Sequence, residues 1–182
     1  MLDGSLLGLD SQIVDSPVQT VLMFSKRLGT SSTSILGGTL RTTADDPSTG
    51  VSAFISSNGE WRVNNRASSM GNVTVFTNTA LEFCMIGWSF DAINGDAILF
   101  AGTQSGVITD IKPPGTATIT TSPRTHGIGN LYYDAASGFD INSEHAEFIV
   151  FPRALTAQEL EEVYERSLLR LIGREVPVSD II

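Results

Sequence analysis

Apolar and polar residues alternate in short runs along most of the chain, and each run is closed by Gly, Pro, Asn, Asp or Ser. An extended backbone turns successive side chains to opposite faces, so runs of this kind predict half-buried strands. They cover 20–26 (TVLMFSK), 31–40, 51–56, 61–64, 73–77, 97–101, 106–111, 116–121, 127–133 and 147–151. The stretch 81–91 (LEFCMIGWSFD) is apolar almost throughout, the signature of a central strand buried on both faces. Asn58-Gly59 and Asn94-Gly95 stand between short runs and predict two hairpins. The segment 43–50 (TADDPSTG) and the break Pro113-Pro114-Gly115 are loops. No helical period separates the strands, which argues against a parallel α/β sheet and for an antiparallel sandwich.

The period changes near the C-terminus. Leu160, Val163, Tyr164, Ser167, Leu168, Leu171 and Ile172 recur at helical spacing. Thr156-Ala157-Gln158-Glu159 has the form of a capping box, in which the Thr hydroxyl takes the Glu159 amide and the Glu carboxylate reaches back. Leu155 and Leu160 flank it as a hydrophobic staple, and Gly173 is the expected stop. The helix is therefore placed at 156–172, closing the sandwich. The segment 1–19 reads as an arm or edge strand, 20–173 as one domain and 174–182 as a tail.

Composition narrows the function. Only 17% of the 182 residues are charged and the net charge is −9. Lys26 and Lys112 are the only lysines, so the chain lacks the basic patch that nucleic acid or an anionic membrane surface requires. No apolar run approaches the roughly 18 residues of a membrane span, and the start of the chain lacks a basic, apolar leader. Cys84 is the single cysteine and lies in an apolar run, which makes it a small buried hydrophobe. His126 and His145 read as surface or loop residues, and Trp88 as core.

The closing segment 147–164 (EFIVFPRALTAQELEEVY) resembles the end of laminin-G-like, concanavalin-A-like domains, through Glu147, Arg153, Ala154, Leu155, Thr156, Glu159 and Tyr164. The run 83–91 followed by Ile98-Leu99-Phe100-Ala101-Gly102 resembles that family's central hairpin, Gly127-Ile128-Gly129-Asn130 its Ile-Gly-Asn step, and 20–26 its early strand. The sequence departs from the family pattern at Ala146, where an acidic residue often stands, and at Phe24, in place of an early Trp. The resemblance implies an all-β fold, an antiparallel jelly-roll β-sandwich with one C-terminal α-helix. It implies binding functions above all, although some relatives act on polysaccharides. Domains of this size are also similar to those in virion proteins of tailed bacteriophages.

Candidate chemistry is sparse. Sugar recognition calls for an aromatic platform with polar groups beside it, and Trp61, Asn58, Tyr132 and Tyr133 supply the best combination. Calcium wants six to eight oxygens; Asp134, Asp140 and Asn142 are the candidate set, with Asp140 and Asn142 two apart, and Ala146 weakens any site inherited from the family. Asp45, Asp46, Asp91 and Asp96 read as turn formers. No Cys and His spacing suits zinc. A glycanase needs two carboxylates across a groove; Glu144 and Glu147 are three apart, which on a regular strand faces them oppositely, and Glu147 reads as a structural hydrogen-bonding residue near the helix.

These observations lead to a non-enzymatic binding or structural module with no cofactor unless calcium is bound. The expected setting is a phage virion, made in the host cytoplasm, with virion proteins, surface glycans or further copies of the chain as partners. The rivals are a polysaccharide-acting enzyme of the same superfamily and a stand-alone lectin.

Overall fold

The alternating runs pair into two stacked sheets. The computed structural model describes residues 9–29, 33–40, 49–65, 69–79, 81–103, 106–112, 115–129 and 143–174. Its elements are β1 (Leu9–Val14), β2 (Val18–Arg27), β3 (Ser34–Gly38), β4 (Val51–Ile55), β5 (Glu60–Asn65), β6 (Gly71–Thr77), β7 (Cys84–Asp91), β8 (Asp96–Thr103), β9 (Gly106–Lys112), β10 (Thr125–Ile128), β11 (Ser143–Phe151) and α1 (Ala157–Gly173). One sheet has the order β1-β10-β3-β4-β5-β6 and the other β11-β2-β7-β8-β9. Each ladder is antiparallel, and the late strands β10 and β11 return to lie beside the early β1, β3 and β2. The fold is an all-β sandwich with one C-terminal helix.

Pattern and packing agree strand by strand. On β2, Val21 and Met23 point between the sheets, while Leu22 and Phe24 point out toward α1. On β7, Ile86, Trp88 and Phe90 point in and Met85 points out; on β8, Leu99 and Ala101 point in and Phe100 out. These three strands are buried on both faces, which is why their sequences are apolar in both phases. On β4 and β5 one phase joins the inner core through Val51, Ala53, Ile55, Trp61 and Val63, and the other is polar apart from Phe54.

Both hairpins form. Gly59 has φ +79°, the left-handed conformation that the β4–β5 loop needs and that a Cβ disfavours. Asp91 shapes the β7–β8 loop, its Oδ1 accepting from the amides of Ile93 (3.1 Å) and Asn94 (3.0 Å), as a turn former should. Thr156 caps α1: its Oγ1 accepts from the Glu159 amide at 3.3 Å, and the Glu159 Oε2 accepts from the Thr156 amide at 2.8 Å. Gly173 is the last helical residue, not the stop, and the Arg174 amide closes the helix on the Leu171 carbonyl.

Four expectations are corrected. Residues 116–121 form no strand. Their backbone is held by isolated hydrogen bonds instead: Asn65 Nδ2 donates to the Thr120 carbonyl at 3.0 Å, the Thr118 amide donates to Ser69 Oγ at 2.8 Å, and the Ala117 amide donates to the Gly95 carbonyl at 3.0 Å. Glu144 and Glu147 share a face, because a bulge at Ala146 shifts the register from His145↔Ser25 to Glu147↔Phe24. The histidines are interior: His126 is fully buried, and both ring nitrogens of His145 lie against serine hydroxyls. The strand expected at 127–133 runs instead over Thr125–Ile128, and 130–133 lies outside the described residues.

Candidate functional site

The two outer faces of the sandwich differ. That of the five-stranded sheet is covered by α1, whose Leu160, Tyr164 and Leu171 pack on Leu22, Phe24, Met85 and Phe100. On the outer face of the six-stranded sheet no described element packs over β4, β5 and β6. The polar phase of these strands lies there in two cross-strand rows. One row runs Ile35, Phe54, Arg62, Thr74, and the next runs Gly38, Ser52, Asn64, Asn72. Opposite residues in antiparallel strands stand about 5 Å apart, so each row presents its side chains side by side.

The chemistry of this face suits a neutral, hydroxyl-rich ligand. Phe54 is half-buried and backed by Ile35 and Leu40. Arg62 Nη2 donates to Glu60 Oε2 at 2.6 Å, and the same oxygen accepts from Ser56 Oγ at 3.2 Å. The guanidinium is thus neutralised and fixed in direction. Its Nε has no partner among the described residues, and neither has the Ser52 hydroxyl one row away. Both atoms are shielded from solvent, so the groups of this face that a ligand can reach are the Phe54 ring, the Arg62–Glu60 pair, Asn72 and Thr74. Asn72 and Thr74 are exposed at the open end of the rows.

The residues singled out from sequence lie elsewhere. Trp61 is fully buried and stacked on Phe76 at 5.1 Å, so it is a core residue and not a platform; its phase on β5 is that of Val63. Asn58 is exposed at the β4–β5 turn. Tyr132, Tyr133, Asp134, Asp140 and Asn142 lie outside the described residues, as do Asp45 and Asp46. Among the described residues no group of three acidic, His or Cys side chains is placed to hold a metal. Phe54 and Arg62 were missed. Their signal was an aromatic and a cation sharing the polar phase of two strands joined by a hairpin.

Elsewhere the reactive side chains are locked. Ser25 Oγ and His145 Nδ1 are 2.9 Å apart, the spacing of a nucleophile and its base, but Ser143 Oγ occupies Nε2 at 3.0 Å. Ser25 is fully buried, which leaves no approach for a substrate. Burial pushes the His145 pKa down to about 4. It does the same for His126, whose Nε2 lies 3.2 Å from Gln19 Oε1. Gln19 in turn donates to Asp15, which also accepts from Thr39 Oγ1 (3.0 Å) and the Ser122 amide (2.8 Å). This network ties β1, β2, β3 and β10 together. Cys84 is buried, with its thiol pushed up to about 11 by desolvation. Glu147 accepts from Arg170 Nε and Nη2, each at 3.0 Å, and so holds the helix as a structural residue; Glu144 pairs with Lys26 at 2.8 Å.

Neither a protein-family model nor the sequence of a curated protein matches the chain. Solved structures do. The chain is similar to the CBM40 domain of the Ruminococcus gnavus IT-sialidase, solved bound to α2,6-sialyllactose, at 14% identity and a TM-score of 0.57 over 90% of this chain and 94% of that one. It is similar to a heptameric SAP-like pentraxin from Limulus polyphemus, at 16% identity and 0.55 over 90% and 83%. It is also similar to part of the NanB sialidase from Streptococcus pneumoniae, at 16% identity and 0.61 over 88% of this chain and 27% of that one. At these identities the likeness shows the fold alone, a jelly-roll-like antiparallel β-sandwich.

Proposed function

We propose that the chain is a non-catalytic glycan-binding module and that the rows on β4, β5 and β6 form its binding face. The observation that carries this is the juxtaposition of the half-buried Phe54 ring with the Arg62 guanidinium that Glu60 fixes in direction, and with the exposed Asn72 and Thr74 at the end of the rows. An apolar ring face and fixed donors are what orient a sugar ring. The CBM40 neighbour bound to sialyllactose adds support from a module of the same fold. Catalysis finds none in the carboxylate that β5 carries on this face, Glu60, which is committed to Arg62.

The setting belongs to the same proposal. The low-lysine, acidic chain and its family resemblance favour a bacteriophage particle, where virion proteins and further copies of the chain are partners alongside surface glycans. Co-purification of the protein with intact particles is the expected result there, and its recovery solely as a free cellular monomer refutes the setting.

The binding face is tested on a broad glycan array, with calcium and with chelator, using the wild-type chain, Phe54→Ala and Arg62→Ala. Binding that survives chelator and is lost in both variants is expected. Binding unchanged in both variants overturns the assignment. Calcium-dependent binding would transfer it to Asp134, Asp140 and Asn142, the candidate calcium ligands.

A further inference from the structure

A second cavity lies away from that face, where the free edges of the two sheets leave the sandwich open between β6 and β9. Its volume is about 460 Å³, within the usual size of small-ligand sites. Val75, Phe76 and Ile108 form apolar walls, and Asn78, Glu82 and Thr103 supply the polar groups. Glu82 makes no ion pair and no hydrogen bond among the described residues. No Lys or Arg lines the cavity. Arg27 is buried and turns its Nη2 to the Thr79 carbonyl at 3.2 Å, Lys26 is held by Glu144, and Lys112 is held by Asp110 at 2.7 Å. The lining therefore carries one charge, and it is negative.

We propose that this cavity binds a small organic cation, a primary ammonium on an apolar body, with Glu82 receiving the ammonium and Phe76, Val75 and Ile108 receiving the body. An unpaired carboxylate at the rim of apolar walls attracts an ammonium and repels a carboxylate. The net charge of −9 concentrates cations around the chain as a whole. Asn78 Nδ2 is turned to Cys84 Sγ at 3.6 Å, and the thiol behind it is fully buried, so capture is non-covalent. This site is separate from the glycan face and does not depend on it.

The test is calorimetric titration of the full chain with n-hexylamine, 1-hexanol and hexanoate, three probes of one length and different charge. The amine is expected to bind at least about tenfold more tightly than hexanoate, and Glu82→Gln is expected to remove most of that preference without moving the thermal midpoint. Equal binding of hexanoate, an unchanged amine affinity in Glu82→Gln, or no binding of any probe overturns the proposal. So does amine binding that is lost in Phe54→Ala while Glu82→Gln keeps it. Acetyl-lysine methylamide, with its side-chain ammonium free, separates the two sources of such a cation. Binding stronger than that of hexylamine indicates a lysine of a partner protein; weaker binding indicates a free amine.

Discussion

The docking of α1 rests on one missing side chain. Gly102 on β8 lies directly beneath the Tyr164 ring, and a Cβ there would stand 2.3 Å from Cδ2, 2.4 Å from Cε2 and 2.8 Å from Cγ. Carbon atoms in contact prefer about 3.5–4.0 Å, so Gly102→Ala forces the ring away by more than about 1 Å. The ring is held on its other sides. It stacks on Phe24 (centroids 6.1 Å apart, 5° between planes), meets Phe100 edge-on at 6.3 Å, and its hydroxyl donates to the Thr103 carbonyl at 3.1 Å. Overpacking costs about 1–3 kcal/mol and the hydrogen bond about 1 kcal/mol, together about 2–4 kcal/mol. For a chain of this length that lowers Tm by about 5–15 °C. Urea unfolding followed by the fluorescence of Trp61 and Trp88, both fully buried, measures it. The decisive comparison is the double-mutant cycle. Tyr164→Ala alone costs about 3–5 kcal/mol, but in that background Gly102→Ala has nothing to strike and should cost almost nothing. If Gly102→Ala costs the same with and without the ring, to within about 0.5 kcal/mol, the steric account of helix docking is wrong.

Three further outcomes follow from the same structure. Thr156→Ala removes the acceptor for the Glu159 amide and should destabilise by about 1 kcal/mol in urea, while Thr156→Asn should retain most of the stability. Burial holds His126 and His145 near pKa 4, against 6.5 when unfolded, so both take up protons on unfolding between these values. Stability is then level above about pH 6.5 and declines toward pH 4; Asp15, raised by burial, acts in the opposite sense but is one group against two. Tm should fall over that window and less steeply in His145→Asn, and a Tm independent of pH there contradicts the reading. Cys84, buried and pushed up to about 11, should react with an aromatic disulfide reagent at the rate of global unfolding and faster in Gly102→Ala, and rapid labelling of the native chain would contradict its placement.

The sequence was most informative where the physics is local. The capping box is a four-residue motif, and its two hydrogen bonds form among those same four residues. The hairpin turns at Gly59 and Gly95 were equally local. Strand phase was legible too, but it had to be used consistently. Trp61 shares a phase with Val63 and is core, whereas Phe54 shares a phase with Ser52 and meets Arg62 across the hairpin. Choosing the largest aromatic over the out-of-phase one left the proposed binding face out. What could not be read was long-range. His145 is interior because Ser25, 120 residues earlier, meets its Nδ1, and His126 because Gln19, 107 residues earlier, meets its Nε2. The bulge at Ala146, which puts Glu144 and Glu147 on one face, has no marker in the local alternation.

The difference between one-phase and two-phase strands also allocates function. β2, β7 and β8 are apolar in both phases, so their outer face must be covered, and α1 covers it. That leaves the six-stranded sheet as the one whose outer polar phase can meet a ligand. There Arg62 is neutralised by Glu60 at 2.6 Å, so the proposed recognition on that face would depend on hydrogen bonds and on the Phe54 ring. At the open edge between β6 and β9 the opposite holds: Glu82 is an unneutralised charge beside apolar walls. Screening by salt acts on the second and hardly on the first. Raising the ionic strength from about 0.01 M to about 0.15 M shortens the Debye length from about 30 Å to about 8 Å. Amine binding at the edge should weaken across that change while glycan binding at the face stays level. The two proposed sites are separable by salt alone, because one strand pair balances its charge within the polar phase and the sheet edge does not.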